Sequence, residues 1–388
     1  MNDGRAGSQG LRIVAAANRG LASAWARGLL TEPPLDSASL IAKAERIEKG
    51  KLESGDWEEA LRVLTTDLRE IAALNPLGRS MAHGQLVGIL RQRIRAQRLW
   101  RERPEILQRP IDRPVVVLGH MRSGTTLTHR LLACDSRFSF TRMHETLLPV
   151  AKYRSVERWR ASVVGGLLHA LNPKLRSAHP TSARAAEEEY GLHAFSLHGA
   201  MFEAQWNVPN FARWCEARNL APVYREFHQL LQTLRWRRRD GSDANQLLKA
   251  PQFMQDLPAL LEEFPGARIV MLVRDRREVM ASSASLVWNQ QRIQSDSADP
   301  LRIGAEWRRK TLLREERAQL GLDQVPSSRL VTVEFEQLKA EWAGEIRKIY
   351  EFLELAPARS TLARMTQVVN ASGHRGHHYS AAQFGLCE

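Results

Sequence analysis

At 388 residues, 43% hydrophobic and 26% charged, the chain can build one large domain with an appendage, or two domains. The composition excludes wholesale disorder and low complexity, and no stretch approaches the ~20 uninterrupted apolar residues of a membrane-spanning helix. Lys and Arg number 56 against 43 Asp and Glu, a formal net charge of +13, which suits a polyanionic partner: nucleic acid, an anionic membrane surface or a phosphorylated small molecule.

Residues 1–110 carry helical stripes. Leu40, Ile41, Ala44 and Ile47 form one, Trp57, Leu61, Leu64, Leu68 and Ile71 a second, and Leu86, Ile89, Leu90, Ile94 and Leu99 a third. Arg91, Arg93, Arg95, Arg98 and Arg101 interleave the third stripe and are expected on a solvated helix face. The weakly amphipathic stretch Leu21–Leu30 is expected to pack as an arm, with contact to a membrane or partner as the alternative. The apolar run from Gly10 is short and broken at Asn18-Arg19, unlike a secretory signal. Cys134, Cys215 and Cys387 show neither CxxC pairing nor metal-ligand spacing. A reducing, cytoplasmic setting without disulfides or a structural metal is therefore expected.

Beyond Pro110 the pattern becomes strand–helix alternation. Val115–Leu118, Leu247–Lys249, Arg268–Val273 and Arg329–Val333 read as buried parallel strands. Helical patterns occupy Leu127–Cys134, Leu257–Phe264, Glu278–Leu286 and Glu341–Leu353. The expected fold is α/β, a P-loop-like three-layer arrangement of a central parallel sheet flanked by helices, with a helical N-terminal extension. Arg235–Ser242 is expected to be an exposed turn.

The first strand runs into Gly119-His-Met-Arg-Ser-Gly-Thr-Thr126 and then directly into a helix. Glycines let the backbone curl so that several N–H groups converge, and the helix start adds its own unpaired donors. The Gly119-x4-Gly124 spacing is that of a phosphate loop, but Thr125 stands where nucleotide triphosphatases carry lysine. With no evident Mg²⁺-binding Asp either, β/γ-phosphate chemistry is poorly supported. The expected anion site is Arg122, Ser123, Gly124, Thr125 and Thr126. A later strand delivers Arg274 at its C-terminal end, with Ser282 eight residues on. These two can share one phosphate only if the chain turns sharply after the strand.

Together the two segments resemble the sulfotransferases that use 3′-phosphoadenosine-5′-phosphosulfate (PAPS), and most of all a bacterial branch with a helical N-terminal extension. The strings carrying the resemblance are Arg122-Ser-Gly-Thr-Thr126, His144-Glu145, His179-Pro followed by Glu187-Glu-Glu189, Leu248-Lys-Ala-Pro251, Phe264–Asp275 and, near the end, His377-His-Tyr379 with Phe384-Gly-Leu386. The resemblance implies an extension over 1–110 and a PAPS-binding domain over 111–388, with sulfuryl transfer to a hydroxyl or amine and adenosine 3′,5′-bisphosphate as product. It implies no metal. It assigns the 5′-phosphosulfate to the Arg122–Thr126 loop and the 3′-phosphate to Arg274 and Ser282, with Arg375 and Gly376 assisting from the tail. Lys249 corresponds to the lysine that donates to the sulfuryl or bridging oxygen.

The general base stays open. Pro251 and Phe253 occupy the positions where relatives place a histidine, so His179 and Glu188 are the candidates and Glu145 a third. Trp159, Phe195, Phe202, Trp206, Phe211 and Trp214 lie between the phosphate motifs; core packing is the default for such rings, and a lining for a hydrophobic acceptor is the alternative. The competing readings are a P-loop small-molecule kinase and a basic nucleic-acid- or membrane-binding protein. Against the second, the arginines are scattered and no basic motif is interleaved with aromatics.

Overall fold

A computed structural model describes residues 2–150, 159, 162, 163, 166, 185–241, 244–371 and 380–386. Five strands, β1 (Val115–Leu118), β2 (Phe138–Phe140), β3 (Asn245–Leu248), β4 (Arg268–Val273) and β5 (Leu330–Glu334), form one sheet in the order β2-β3-β1-β4-β5. Every pairing is parallel, with Val115 of β1 opposite Leu247 of β3 on one side and Arg268 of β4 on the other. All four residues of β1 are buried, as befits the central strand of a sheet covered on both faces. The α/β expectation holds. β2 is a short edge strand of three residues, too brief for its pattern to stand out in the sequence.

This order decides where a ligand can sit. β1 lies between β3 and β4, so the segments leaving the C-terminal ends of these three strands emerge side by side. In open parallel sheets that edge is where ligands bind. The loop 119–124, Lys249 and Arg274 are the three things delivered there.

The N-terminal residues form helices Asn2–Ala26, Ser37–Glu48, Trp57–Glu70 and Pro76–Glu102. Asp36 caps the second, accepting from Ser39 N at 2.8 Å, and Asn75 caps the fourth, accepting from Gly78 N at 2.8 Å with Pro76 at the first helical position. Leu40, Leu64, Leu86 and Leu90 of these helices share one core with Phe202, Trp206, Phe211 and Cys215. The extension is thus fused to the chain that follows the phosphate loop. Its first helix docks through Val14 against Ile293, and Asn18 accepts from Leu77 N at 2.8 Å; within Leu21–Leu30 no residue is buried, and Leu29 and Leu30 are exposed.

Two local expectations change, and the aromatics follow the core reading. Arg235–Arg238 closes the helix Ala221–Arg238 and is no exposed turn: Arg235 is buried and donates to the carbonyls of Pro110 and Gly241, while Arg238 binds Glu145 and Asp240. The basic face of Pro76–Glu102 is largely neutralised, because Arg91 and Arg95 pair with Glu48 and buried Arg93 pairs with Glu226. Phe202, Trp206 and Phe211 fill the shared core, Phe195 fills another beside Phe227, and Trp159 is exposed. Large apolar rings gain most where water is wholly excluded, and at four of these positions that place is the core. Trp214 packs partly buried against the same core.

Candidate functional site

The loop after β1 has the backbone of an anion nest. Gly119, Arg122 and Gly124 have φ of 154°, 69° and 89°. Left-handed residues alternating with ordinary ones turn successive N–H groups toward one point. A Cβ on Gly119 would lie 2.9 Å from the Leu272 carbonyl and one on Gly124 would lie 2.9 Å from the Phe335 ring, so both positions need glycine on space as well as dihedral. Arg122 holds a left-handed conformation without being glycine, a conformation that persists only where its surroundings enforce it. Here the Arg122 carbonyl accepts from Arg274 Nη1 at 2.6 Å, and its own Nε donates to Ser282 Oγ at 3.2 Å. Ser123 Oγ closes the turn on the His120 carbonyl at 2.6 Å. Helix Thr125–Leu132 then starts, burying Thr125 and aiming its N-terminus into the nest.

Arg274, Ser282 and Arg122 come together, and the sharp turn is supplied by Asp275. Asp275 caps helix Arg276–Gln294, accepting from Arg277 N at 2.9 Å and Glu278 N at 3.1 Å, and so reverses the chain immediately after β4. Ser282, buried, then faces the loop. Arg274 lies over the Phe335 ring at 4.2 Å and pairs with Glu278 one turn on. Phe335, which also packs on Gly124, is a support absent from the sequence expectation; its signal is an aromatic directly after β5.

A second convergence lies at the end of β3. Lys249 is buried, and its ammonium donates to Thr126 Oγ1 at 3.0 Å and to Glu188. Glu188 is held there by backbone pairing of its segment with the chain after β2: Glu187 N donates to the Thr141 carbonyl at 2.9 Å and Met143 N to the Ala185 carbonyl at 3.2 Å. Helix Tyr190–Phe195 then packs so tightly on Thr146 that a Cβ at Gly191 would meet its carbonyl at 2.1 Å. Glu189, fully buried, accepts from Lys249 N at 2.8 Å, and burial pushes its carboxyl up to about 8. The triple glutamate therefore splits its tasks: the middle one meets the lysine side chain and the last one the lysine backbone.

Glu145 is occupied otherwise. It accepts from Arg142 N and Arg238 Nη1, both at 2.9 Å, and braces the strand-end turn. His179, Arg375 and Gly376 lie outside the described residues. His120, unnoticed in the sequence, is buried on the loop with Nε2 3.4 Å from Glu315, and burial holds its imidazole below the ordinary value. Beneath the site, His198 and Asp256 form a fully buried pair at 2.9 Å, with Gln252 also bonded to Asp256 at 3.0 Å.

A nest with a helix N-terminus, a lysine on one side and an arginine–serine pair on the other can hold a ligand with two separated phosphate-like groups while donating to a third group on the lysine side. Residues 114–358 match the profile of the sulfotransferase family. The ω-hydroxy-β-dihydromenaquinone-9 sulfotransferase Stf3 of Mycobacterium bovis is 26% identical over 269 residues, 66% of this chain and 66% of that protein, so just under two thirds of the relative's length is matched. Sulfotransferase STF1 of Mycobacterium tuberculosis superposes with a TM-score of 0.76 at 26% identity, covering 92% of this chain and 96% of that one. Sulfotransferase STF9 of Mycobacterium avium shares the fold, with a TM-score of 0.78 at 19% identity over 92% of this chain and 94% of that one.

Proposed function

The chain belongs to the sulfotransferase family, and on that premise we propose that it transfers a sulfuryl group from PAPS to the hydroxyl, or amine, of a small hydrophobic acceptor. The observation that carries this reading is the meeting of Lys249 with Thr126 of the phosphate loop and with Glu188. A donor, an acceptor and a phosphate cradle thereby share one point.

The loop N–H groups, the Thr125 and Thr126 hydroxyls and Arg122 hold the 5′-phosphate, whose negative charge grows as its bond to sulfur breaks. The Lys249 ammonium donates to the sulfuryl or bridging oxygen. Glu188 takes the acceptor proton as the new S–O bond forms, and later releases it to water. His179 remains a second candidate for that proton. Arg274 and Ser282 bind the 3′-phosphate, with Arg375 and Gly376 as further contacts to it. The products are the sulfated acceptor and adenosine 3′,5′-bisphosphate. The hydrophobic character of the acceptor is supported by the ω-hydroxy-β-dihydromenaquinone-9 in the name of the Mycobacterium bovis relative. A reducing, cytoplasmic setting is supported by the unpaired Cys134 and Cys215; among the described residues no helix is long and apolar enough to cross a membrane.

Thermal melting with adenosine 3′,5′-bisphosphate and with ATP·Mg²⁺ tests the donor. Stabilisation by the bisphosphate alone supports PAPS, and stabilisation by ATP·Mg²⁺ alone refutes it. Mass-spectrometric screening of hydroxylated lipids and phenols with PAPS tests the acceptor class.

A further inference from the structure

Helix Pro300–Leu322 carries two buried cations one turn apart, and they are treated differently. The Lys310 ammonium lies 2.6 Å from Glu203 and 2.5 Å from Glu216. Arg314 is 2% exposed, yet among the described residues it has no ion-pair partner, and its Nε and Nη2 make no hydrogen bond. Its guanidinium lies 5.0 Å from the centre of the Trp307 ring, a contact that leaves the Nε/Nη2 edge unused. An unpaired buried charge is among the costliest features a fold can carry, and it persists where something else is gained.

The position of Arg314 says what that gain is. Trp307 belongs to a cluster against which Met121 of the phosphate loop packs. His120, the preceding loop residue, sits 3.4 Å from Glu315, the neighbour of Arg314 in the chain. The charge of Arg314 reaches both His120 and Tyr190, the residue that follows Glu189. Arg314 therefore lies beside the loop, near His120 and Met121, with its Nε and Nη2 buried and without a hydrogen bond. A guanidinium edge offers two parallel N–H donors, the geometry that matches two oxygens of a carboxylate, phosphate or sulfate. The charged groups of the donor have their own partners in the proposed reading: Arg122 and the loop, Lys249, and Arg274 with Ser282.

We propose that the Nε/Nη2 edge of Arg314 is an oxyanion subsite for the acceptor, taking a carboxylate, phosphate or sulfate carried by the same molecule whose hydroxyl is sulfated. The acceptor is then an amphiphile: apolar over most of its surface, with an anionic group held by Arg314 and a hydroxyl turned to Glu188. This rests on the PAPS reading for the identity of the reaction, but the subsite itself does not.

The probe is inorganic sulfate, titrated calorimetrically into full-length protein saturated with adenosine 3′,5′-bisphosphate and, separately, with PAPS. Wild type is expected to bind one sulfate in both cases, and Arg314→Met to bind it at least tenfold more weakly. Arg314→Met should also melt higher than wild type without ligand, because it removes an unpaired buried charge; an arginine that merely supports the fold would give the opposite shift. Arg314→Lys, which keeps the charge and loses the two-donor edge, should fold and still bind sulfate several-fold more weakly. Sulfate binding that is absent in wild type, or unchanged in both variants, overturns the subsite. Binding that occurs beside the bisphosphate but vanishes beside PAPS overturns it too, since the anion pocket would then be the sulfuryl position of the donor. If the bisphosphate itself does not bind, the PAPS reading fails, and Arg314-dependent sulfate binding to the free protein still decides the subsite.

Discussion

Arg122 Nε donates to Ser282 Oγ at 3.2 Å across 160 residues of chain, joining the phosphate loop to the helix after β4. The same arginine holds Arg274 through its backbone carbonyl at 2.6 Å. The two phosphate motifs are therefore one mechanical unit, with Arg122 at the joint. Removing it deletes a charge and also frees a backbone that is held left-handed. Arg122→Ala is expected to weaken adenosine 3′,5′-bisphosphate binding at least a hundredfold and to abolish PAPS turnover. Ser282→Ala should cost roughly tenfold, in line with a lost hydrogen bond to a charged group. The double variant should cost clearly less than the product of the two, and a calorimetric double-mutant cycle showing full additivity would contradict the joint.

Arg274 is already engaged by Glu278 one helical turn on. To serve a 3′-phosphate, that guanidinium must share or exchange its partner. Half the Glu278 side chain is exposed, so the pair contributes no more than about 1 kcal/mol. Glu278→Gln is expected to tighten adenosine 3′,5′-bisphosphate binding about two- to fivefold and to leave binding of adenosine 5′-phosphate unchanged. Equal effects on both nucleotides would show that Arg274 does not read the 3′-phosphate.

The sheet, the loop and the spacing of Arg274 to Ser282 were legible because each is local: a β-branched run, glycines at a fixed interval, a strand-end arginine. Asp275 was equally local, and as a helix cap next to Arg274 it explains the turn that the spacing alone left open. What was illegible is long-range. Nothing near Arg235 or Arg93 in sequence announces the Pro110 carbonyl or Glu226, so cations that become buried look like solvated surface. For the same reason Glu187, Glu188 and Glu189 look equivalent as a string, and only the approach of Lys249 separates them.

Lys249 and Glu188 form a tight pair beside Thr126. Lys249→Met is expected to lower kcat by 10²–10³, as removal of a transition-state donor does, with little change in the bisphosphate affinity. Glu188→Gln should lower kcat by 10²–10⁴ with little change in the bisphosphate affinity. A kcat within about tenfold of wild type in Glu188→Gln would move the proton transfer to His179.

Glu189 makes stability depend on pH. Burial raises its carboxyl to about 8, so folding favours the protonated form. Its contribution is complete below the ordinary value of 4.5 and is lost as pH rises through about 8, at up to about 1.4 kcal/mol per pH unit. Glu189→Gln keeps the acceptor for Lys249 N and cannot ionise. In chemical denaturation the stability of this variant should decline less steeply than that of wild type between pH 4.5 and about 8, the decline that remains above pH 6.5 being that of His198. A parallel decline in both would remove Glu189 as the source.

His198 and Asp256 lie beneath the site with both side chains fully buried, 2.9 Å apart. Burial works against the charged imidazole, but the Asp256 charge and hydrogen bond outweigh it and raise His198 to about 9; Asp256 is in turn lowered, chiefly by His198 against its own desolvation. The stabilisation from His198 is present below pH 6.5 and lost as pH rises through about 9, whereas that from Asp256 is present above 3.8 and lost as acid protonates it. The pair ties the segment after Glu188 to helix Gln252–Glu263, which follows Lys249. Breaking it on one side leaves a buried group uncompensated, so Asp256→Asn should cost about 3–5 kcal/mol in chemical denaturation. Combining it with His198→Gln should recover part of that loss. The paired change should still lower kcat, because Glu188 would be held less firmly against Lys249. A single variant within about 1 kcal/mol of wild type, or a double variant no better than the single, would show that the two do not act as an ion pair.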